Sequence, residues 1–258
     1  MPVFNPTLAG TSRAGAARAP RALLVSLRDP HDPMAAHERR CFADTARIPL
    51  DHLDVHAMAE GPLRGDGLGK YDAVFFGGSG AYSVLDDVPW IRAGLDALRL
   101  VVDARRPAWA SCFGFQGLAM ALGGSVERDD ARQELGAVLL TLTPDGANDP
   151  LLRRLPSRFW AQEGHHDHVT RLPPGVIRLV SGDVSPEQGL RVDGAPFWAS
   201  QFHPELDSRT TVERFLHYLA LYHDGSDEEA EQMVERLRSG EVTESVGELL
   251  AHLVRGEF

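Results

Sequence analysis

Trp109-Ala-Ser-Cys112-Phe-Gly114-Phe-Gln116-Gly-Leu118 is the stretch on which the reading of this chain turns. A short apolar run from Pro107 to Ser111 leads into a cysteine. Phe113, Leu118, Ala119 and Leu122 then recur at helical spacing until Gly123-Gly124 stops the pattern. The stretch reads as a strand, a sharp turn and a helix, with a thiol at the apex. Such a turn holds its apical residue in a strained backbone conformation and needs small neighbours, which Ala110 and Gly114 supply. The partial positive charge of the helix N-terminus is expected to favour thiolate over thiol. A buried structural cysteine at a strand end gives the same local pattern, so the surrounding chain has to decide.

Upstream, Arg21 to Leu27 is an apolar run of the kind found in buried parallel strands. Met34 to Ala46 can form a helix that carries Cys41, read as a core residue. His52 to His56 alternates with period two, as a strand nearer an edge would. Gly61 to Gly69 reads as loop, and Tyr71 to Phe76 as a third strand running into Gly77-Gly-Ser-Gly80. Pro89 suits the first position of a helix that continues through Leu95, Leu98 and Val102. Alternation of strand and helix implies an α/β fold with a mostly parallel central sheet and helices on both faces. Sites in such sheets lie at the carboxyl ends of the strands, where both the glycine loop and Cys112 fall.

After Gly124 the expected elements change to strands joined by short turns: 134–142, 158–162, 176–180, 188–192 and 196–202. Asp193-Gly194 closes a hairpin between the last two. From Ser208 three apolar stripes follow at helical spacing: Val212/Phe215/Leu216/Leu219, Met233/Val234/Leu237 and Val242/Val246/Leu249/Leu250/Leu253. They either extend this chain's own core or present a docking surface. The expected organisation is a disordered tail over 1–20, a main domain over 21–207 and a C-terminal helical extension over 208–258.

The 258 residues are 43% hydrophobic and 24% charged, ordinary for a globular protein. A net charge of −11 argues against nucleic acid or an anionic membrane surface as a partner. No apolar run approaches the roughly 20 residues needed to span a bilayer. Two cysteines make no disulfide framework and fit a reducing compartment, so a cytoplasmic location is expected. His165, His166 and His168 have no second ligand cluster at matching spacing, so no metal is expected. Gly77 to Gly80 lacks the lysine and hydroxyl residue of a phosphate loop.

His203-Pro-Glu205 closes the last expected strand. An imidazole and a carboxylate at i and i+2 point to one side, so the acid can fix the tautomer of the ring and raise its basicity toward Cys112. With the cysteine turn and the glycine loop, this pair resembles the class I, or triad, glutamine amidotransferases, closest to the amidotransferase domain of GMP synthetase. The matching segments are Ala110-Ser-Cys112-Phe-Gly114-Phe-Gln116, Gln133-Glu-Leu-Gly136, Gln162-Glu-Gly-His165-His-Asp167-His-Val169 and His203-Pro-Glu205, the last 91 positions after the cysteine. Coverage runs from about Arg21 to Leu206. Ala110 stands for the usual glycine, Ser111 for a branched apolar residue and Phe115 for a frequent histidine.

The resemblance implies a flavodoxin-like fold and amide hydrolysis through a γ-glutamyl thioester on Cys112, with His203 as acid and base and Glu205 orienting it. It also implies Phe113 and Gly78 N–H groups as oxyanion donors, and Gln116, Gly164 and His165 around the amino-acid end of the substrate. No cofactor is called for. Glutamine or another γ-glutamyl small molecule is the expected substrate. No synthetase domain fits after Leu206, so the ammonia would pass to a separate synthetase polypeptide; a homodimer is compatible. A stand-alone γ-glutamyl hydrolase or peptidase is the alternative, with a non-catalytic regulatory module as a third reading.

Overall fold

β1 (Ala22–Ser26) is buried along its whole length, as a strand flanked on both edges and covered on both faces must be. It pairs in parallel with β2 (Leu53–Ala57) and β3 (Ala73–Phe76), and β3 pairs in parallel with β4 (Ala108–Ser111). The computed structural model describes residues 18–29, 31–219 and 226–258. The tail expected over 1–20 therefore lies, up to residue 17, outside the described residues. The connecting helices are α1 (Met34–Ala46), α2 (Pro89–Asp103) and α3 (Phe113–Ala121). Then come β5 (Ser125–Arg128), β6 (Glu134–Leu142), α4 (Pro144–Asn148), β7 (Arg158–His165), β8 (Asp167–Arg171), β9 (Val176–Ser181), β10 (Gly189–Val192) and β11 (Phe197–Ser200). Helices α5 (Ser208–His217), α6 (Asp227–Ser239) and α7 (Glu244–Val254) end the chain.

The main sheet runs β2-β1-β3-β4-β11-β10-β9-β6-β7. Its first five strands pair in parallel, and β11 onward is antiparallel. β2 is the edge strand that its alternating pattern suggests. The β10–β11 hairpin turns at Gly194, whose φ of 67° a glycine adopts without strain. The expected strand end at 202 is corrected to Ser200; His203 is held beyond it by an isolated bridge to Gln162. A second, two-stranded sheet of β5 and β8 was not expected.

Strand periodicity sorts the core into two layers. Leu23, Val25, Val74, Phe76 and Ala110 face α2 and α3, packing with Ile91, Leu98 and Leu118. Leu24, Phe75 and Trp109 face the other way, where Phe42 of α1 meets Val246, Leu249, Leu250 and Leu253 of α7. These four α7 residues are fully buried, so their stripe is core and not a docking surface. Val212 and Phe215 of α5 pack with Val234 and Leu237 of α6. Leu216, counted with the α5 stripe from the sequence, is instead 49% exposed. Among the described residues no helix is long and apolar enough to cross a membrane.

Candidate active site

Cys112 sits between β4 and α3 at φ 51° and ψ −104°, a conformation that costs a non-glycine residue about 1–3 kcal/mol. Its own N–H is tied to Ser200 O of β11 at 2.8 Å, and its carbonyl accepts the first helical bond from Gln116 at 3.0 Å. A Cβ on Gly114 would stand 3.0 Å from Phe76 Cβ and 3.1 Å from Ala110 Cβ. The small residues at 110 and 114 thus let α3 start directly against the sheet.

The thiol is buried, and burial pushes it well above its ordinary value. Glu163 and Glu205 act in the same direction; Arg214 and the Phe113 N–H oppose them without winning. This corrects the expectation drawn from the helix N-terminus: desolvation outweighs the helix end, and the resting form is the thiol.

His203 Nδ1 meets Glu205 Oε1 at 2.6 Å. The second carboxylate oxygen of Glu205 accepts the Ser111 hydroxyl at 3.0 Å, and Arg214 lies 3.6 Å from the first. Burial disfavours the Glu205 charge, but the facing imidazole, its hydrogen bond and Arg214 outweigh it and hold the carboxyl at about 2. His203 Nε2 and Cys112 Cβ stand 3.9 and 3.8 Å from the point where a Gly78 Cβ would be. A cysteine from one segment and a histidine and a glutamate from another therefore converge under the glycine loop. Ser111, read in the sequence only as a departure, is the residue that completes the support of Glu205.

The loop itself is shaped by buried charge. Gly78 N–H donates to Glu38 Oε1 at 3.1 Å rather than into the site, which corrects its direction as an oxyanion donor. Glu38 is fully buried on α1 and receives Arg28 Nη2 at 3.1 Å. Arg28 Nη1 also donates to the Tyr218 hydroxyl at 2.8 Å, and that hydroxyl donates to Asp32. A Cβ on Gly77 would overlap the Glu38 carboxylate, and one on Gly80 the Tyr218 ring. Nothing in the local spacing of Arg28 or Glu38 signals this arrangement.

Gln116, Gly164 and His165 line a 410 Å³ cavity that reaches Cys112, together with Asp167 and Arg128. Gln116 Nε2 donates to Asp167 O at 2.8 Å and to Gln201 Oε1 at 3.2 Å. Both ring nitrogens of His165 are engaged inside the protein, with Asp167 O at 2.9 Å and Glu134 Oε2 at 3.2 Å. Only its backbone is open to a ligand role. Gly164 O lies 3.7 Å from the Cys112 sulfur. No group of three or more histidine, cysteine or acidic residues suited to a metal occurs among the described residues.

One of the subunits of the glutamine-hydrolysing GMP synthase of Methanocaldococcus jannaschii is 29% identical over 123 residues, 48% of this chain and 63% of that protein. The glutamine-hydrolysing GMP synthase of Christiangramia forsetii is 31% identical over 153 residues, 58% of this chain but 28% of that enzyme. The chain thus spans under two thirds of these relatives. A glutamine amidotransferase structure from Methylobacillus flagellatus superposes with a TM-score of 0.67 at 22% identity, covering 93% of this chain and 94% of that one, and shows the shared fold. The sequence model of the glutamine amidotransferase class-I family matches residues 54–220, well over half the chain, and the chain belongs to that family.

Proposed function

We propose that this protein hydrolyses the side-chain amide of glutamine through a γ-glutamyl thioester on Cys112. The observation that carries the proposal is the convergence of a strained, buried Cys112 with His203, itself held by Glu205 at 2.6 Å. Because the resting sulfur is a thiol, the nucleophile forms as its proton moves to His203 Nε2. The 2.6 Å bond at Nδ1 sets the tautomer that leaves Nε2 as the acceptor. The imidazolium then protonates the departing nitrogen, and the neutral imidazole that remains later draws a proton from water to open the thioester. The Phe113 N–H, immediately after the nucleophile, is the oxyanion donor. Gln116 and the backbone of Gly164 and His165 face the amino-acid end of the substrate.

The name of the Methanocaldococcus jannaschii relative, which is one subunit of a synthase, supports delivery of ammonia to a separate acceptor polypeptide. An electrophilic glutamine analogue tests the nucleophile: peptide mapping is expected to find it on Cys112. Cys41, whose thiol burial pushes up to about 12, should stay unmodified. A label on Cys41 alone would remove Cys112 as the reacting group.

A further inference from the structure

Two buried carboxyls converge on one ring nitrogen close to the reacting groups. Glu134 Oε2 stands 3.2 Å and Glu163 Oε2 3.7 Å from His165 Nε2. The other nitrogen of this ring faces the Asp167 carbonyl at 2.9 Å and has to donate there, because a carbonyl only accepts. Nε2 therefore offers one place to two acids. Glu134 holds it: this carboxyl is the nearer, and it also receives Gln188 Nε2 at 2.7 Å. Neither oxygen of Glu163 has a hydrogen-bond partner among the described residues, and the residue is 1% exposed.

Glu163 shares a small cavity with Cys112 and His203. Two cations border the same space, but each serves another carboxylate, Arg28 that of Glu38 at 3.1 Å and Arg214 that of Glu205 at 3.6 Å. The titratable and charged groups facing Glu163 are thus Glu134 from β6, His165 from its own strand, Cys112, His203, Arg28 and Arg214. None of them donates a hydrogen bond to it. A charge on Glu163 would be buried, unpaired and beside a second acid, so the carboxyl keeps its proton. Burial and the charge of Glu134 together raise it well above the ordinary carboxyl range. An apolar side chain would fill this place at lower cost, so the acid calls for a role.

We propose that Glu163 tunes Cys112: the sulfur reacts while this carboxyl is neutral and is shut off when it ionises. The inference rests on the thioester reading of Cys112 given above. Glu163 acts through the sulfur rather than on substrate, and is a positioning residue. Acylation moves the thiol proton to His203 Nε2 and forms the sulfur–carbon bond. Negative charge develops first on the sulfur and then on the oxygen of the tetrahedral intermediate. A neutral acid leaves that charge unopposed, whereas an anion in the same buried space opposes it at both atoms. The protonated form is the active one, so activity is present below the acid value of Glu163 and is lost as pH rises through it. Glutamine hydrolysis thereby acquires an alkaline limit built into the site.

The full-length protein is assayed for glutamine hydrolysis from about pH 5 to 10, beside Glu163→Gln, which keeps the shape and cannot ionise. Wild-type kcat/KM is expected to fall about tenfold or more along the alkaline limb, the effect of a like charge on a neighbouring ionisation. Glu163→Gln should stay level through the same range. Should Glu163→Gln not fold, Glu134→Gln decides. Without its neighbour's charge Glu163 ionises more readily, so the limb moves to lower pH. The rate at which the electrophilic glutamine analogue labels Cys112 is measured in parallel and should follow the same limb without turnover. No label together with no turnover at any pH removes the thioester reading itself. A labelled Cys112 with superimposable profiles for wild type and Glu163→Gln overturns the tuning role alone. Where Glu163→Gln does not fold, a limb that Glu134→Gln leaves in place or moves upward overturns it equally.

Discussion

Ser111 and Glu205 lie 94 positions apart, and the hydroxyl of one fills the second oxygen of the other. Without Ser111 the carboxylate keeps its bond to His203 but can tilt about it. A hydrogen bond to a charged group is worth about 1.5–3 kcal/mol. Ser111→Ala is therefore expected to lower kcat by about tenfold, against about 10²–10⁴-fold for His203→Ala, which removes the acid and base outright. Steady-state glutamine hydrolysis measures both, and a Ser111→Ala enzyme with wild-type kcat would show that its hydroxyl is idle. Cys112, His203 and Glu205 were legible because each stands in a short motif whose spacing is itself informative. Glu163, Arg214, Arg28 and Glu38 were not. Their partners come from other elements, and a polar residue on a helix or strand gives no hint of what it will face.

The β4–α3 turn and helix α7 show how differently elements disclose themselves. Pro107 to Leu122 announces its turn locally, because the close approach at Gly114 needs glycine and the helix begins at once. Gly114→Ala would press a methyl against Phe76 and Ala110 at 3.0–3.1 Å. Overpacking of this kind costs about 1–3 kcal/mol and would displace Cys112. α7 declares a stripe but not its partner, and only the fold shows Leu249 in one core cluster with Phe42 and Phe75. Leu249→Ala should cost about 2–5 kcal/mol in urea unfolding. A loss below about 0.5 kcal/mol would place α7 outside the cooperative core. β5 and β8 escaped the sequence reading because Val126 is the one buried residue of β5, too little for a visible alternation. Their pairing joins segments some forty residues apart.

Across the whole molecule, the parallel half of the sheet was readable from continuous apolar runs between helices, and the antiparallel half from turns. Which strand neighbours which was not, since β4 pairs with β11 across the intervening chain. Buried charge also makes the whole fold sensitive to acid. Glu205 is held at about 2 against an ordinary 4.5. Its folded value is lowered, so its stabilisation is complete above about pH 4.5 and is lost as pH falls toward 2. The shift corresponds to about 3 kcal/mol. Urea unfolding between about pH 6 and 2 should show a decline that Glu205→Gln flattens; equal slopes would mean that other carboxylates govern acid stability.

The glycine loop carries a different consequence, one for descent. Gly77 is moulded on Glu38 and Gly80 on Tyr218, residues from opposite ends of the chain. A side chain at 77 would displace the Glu38 carboxylate, and one at 80 the Tyr218 ring. In any descendant of this protein, a larger letter at either loop position records that its distant partner has shifted or been replaced.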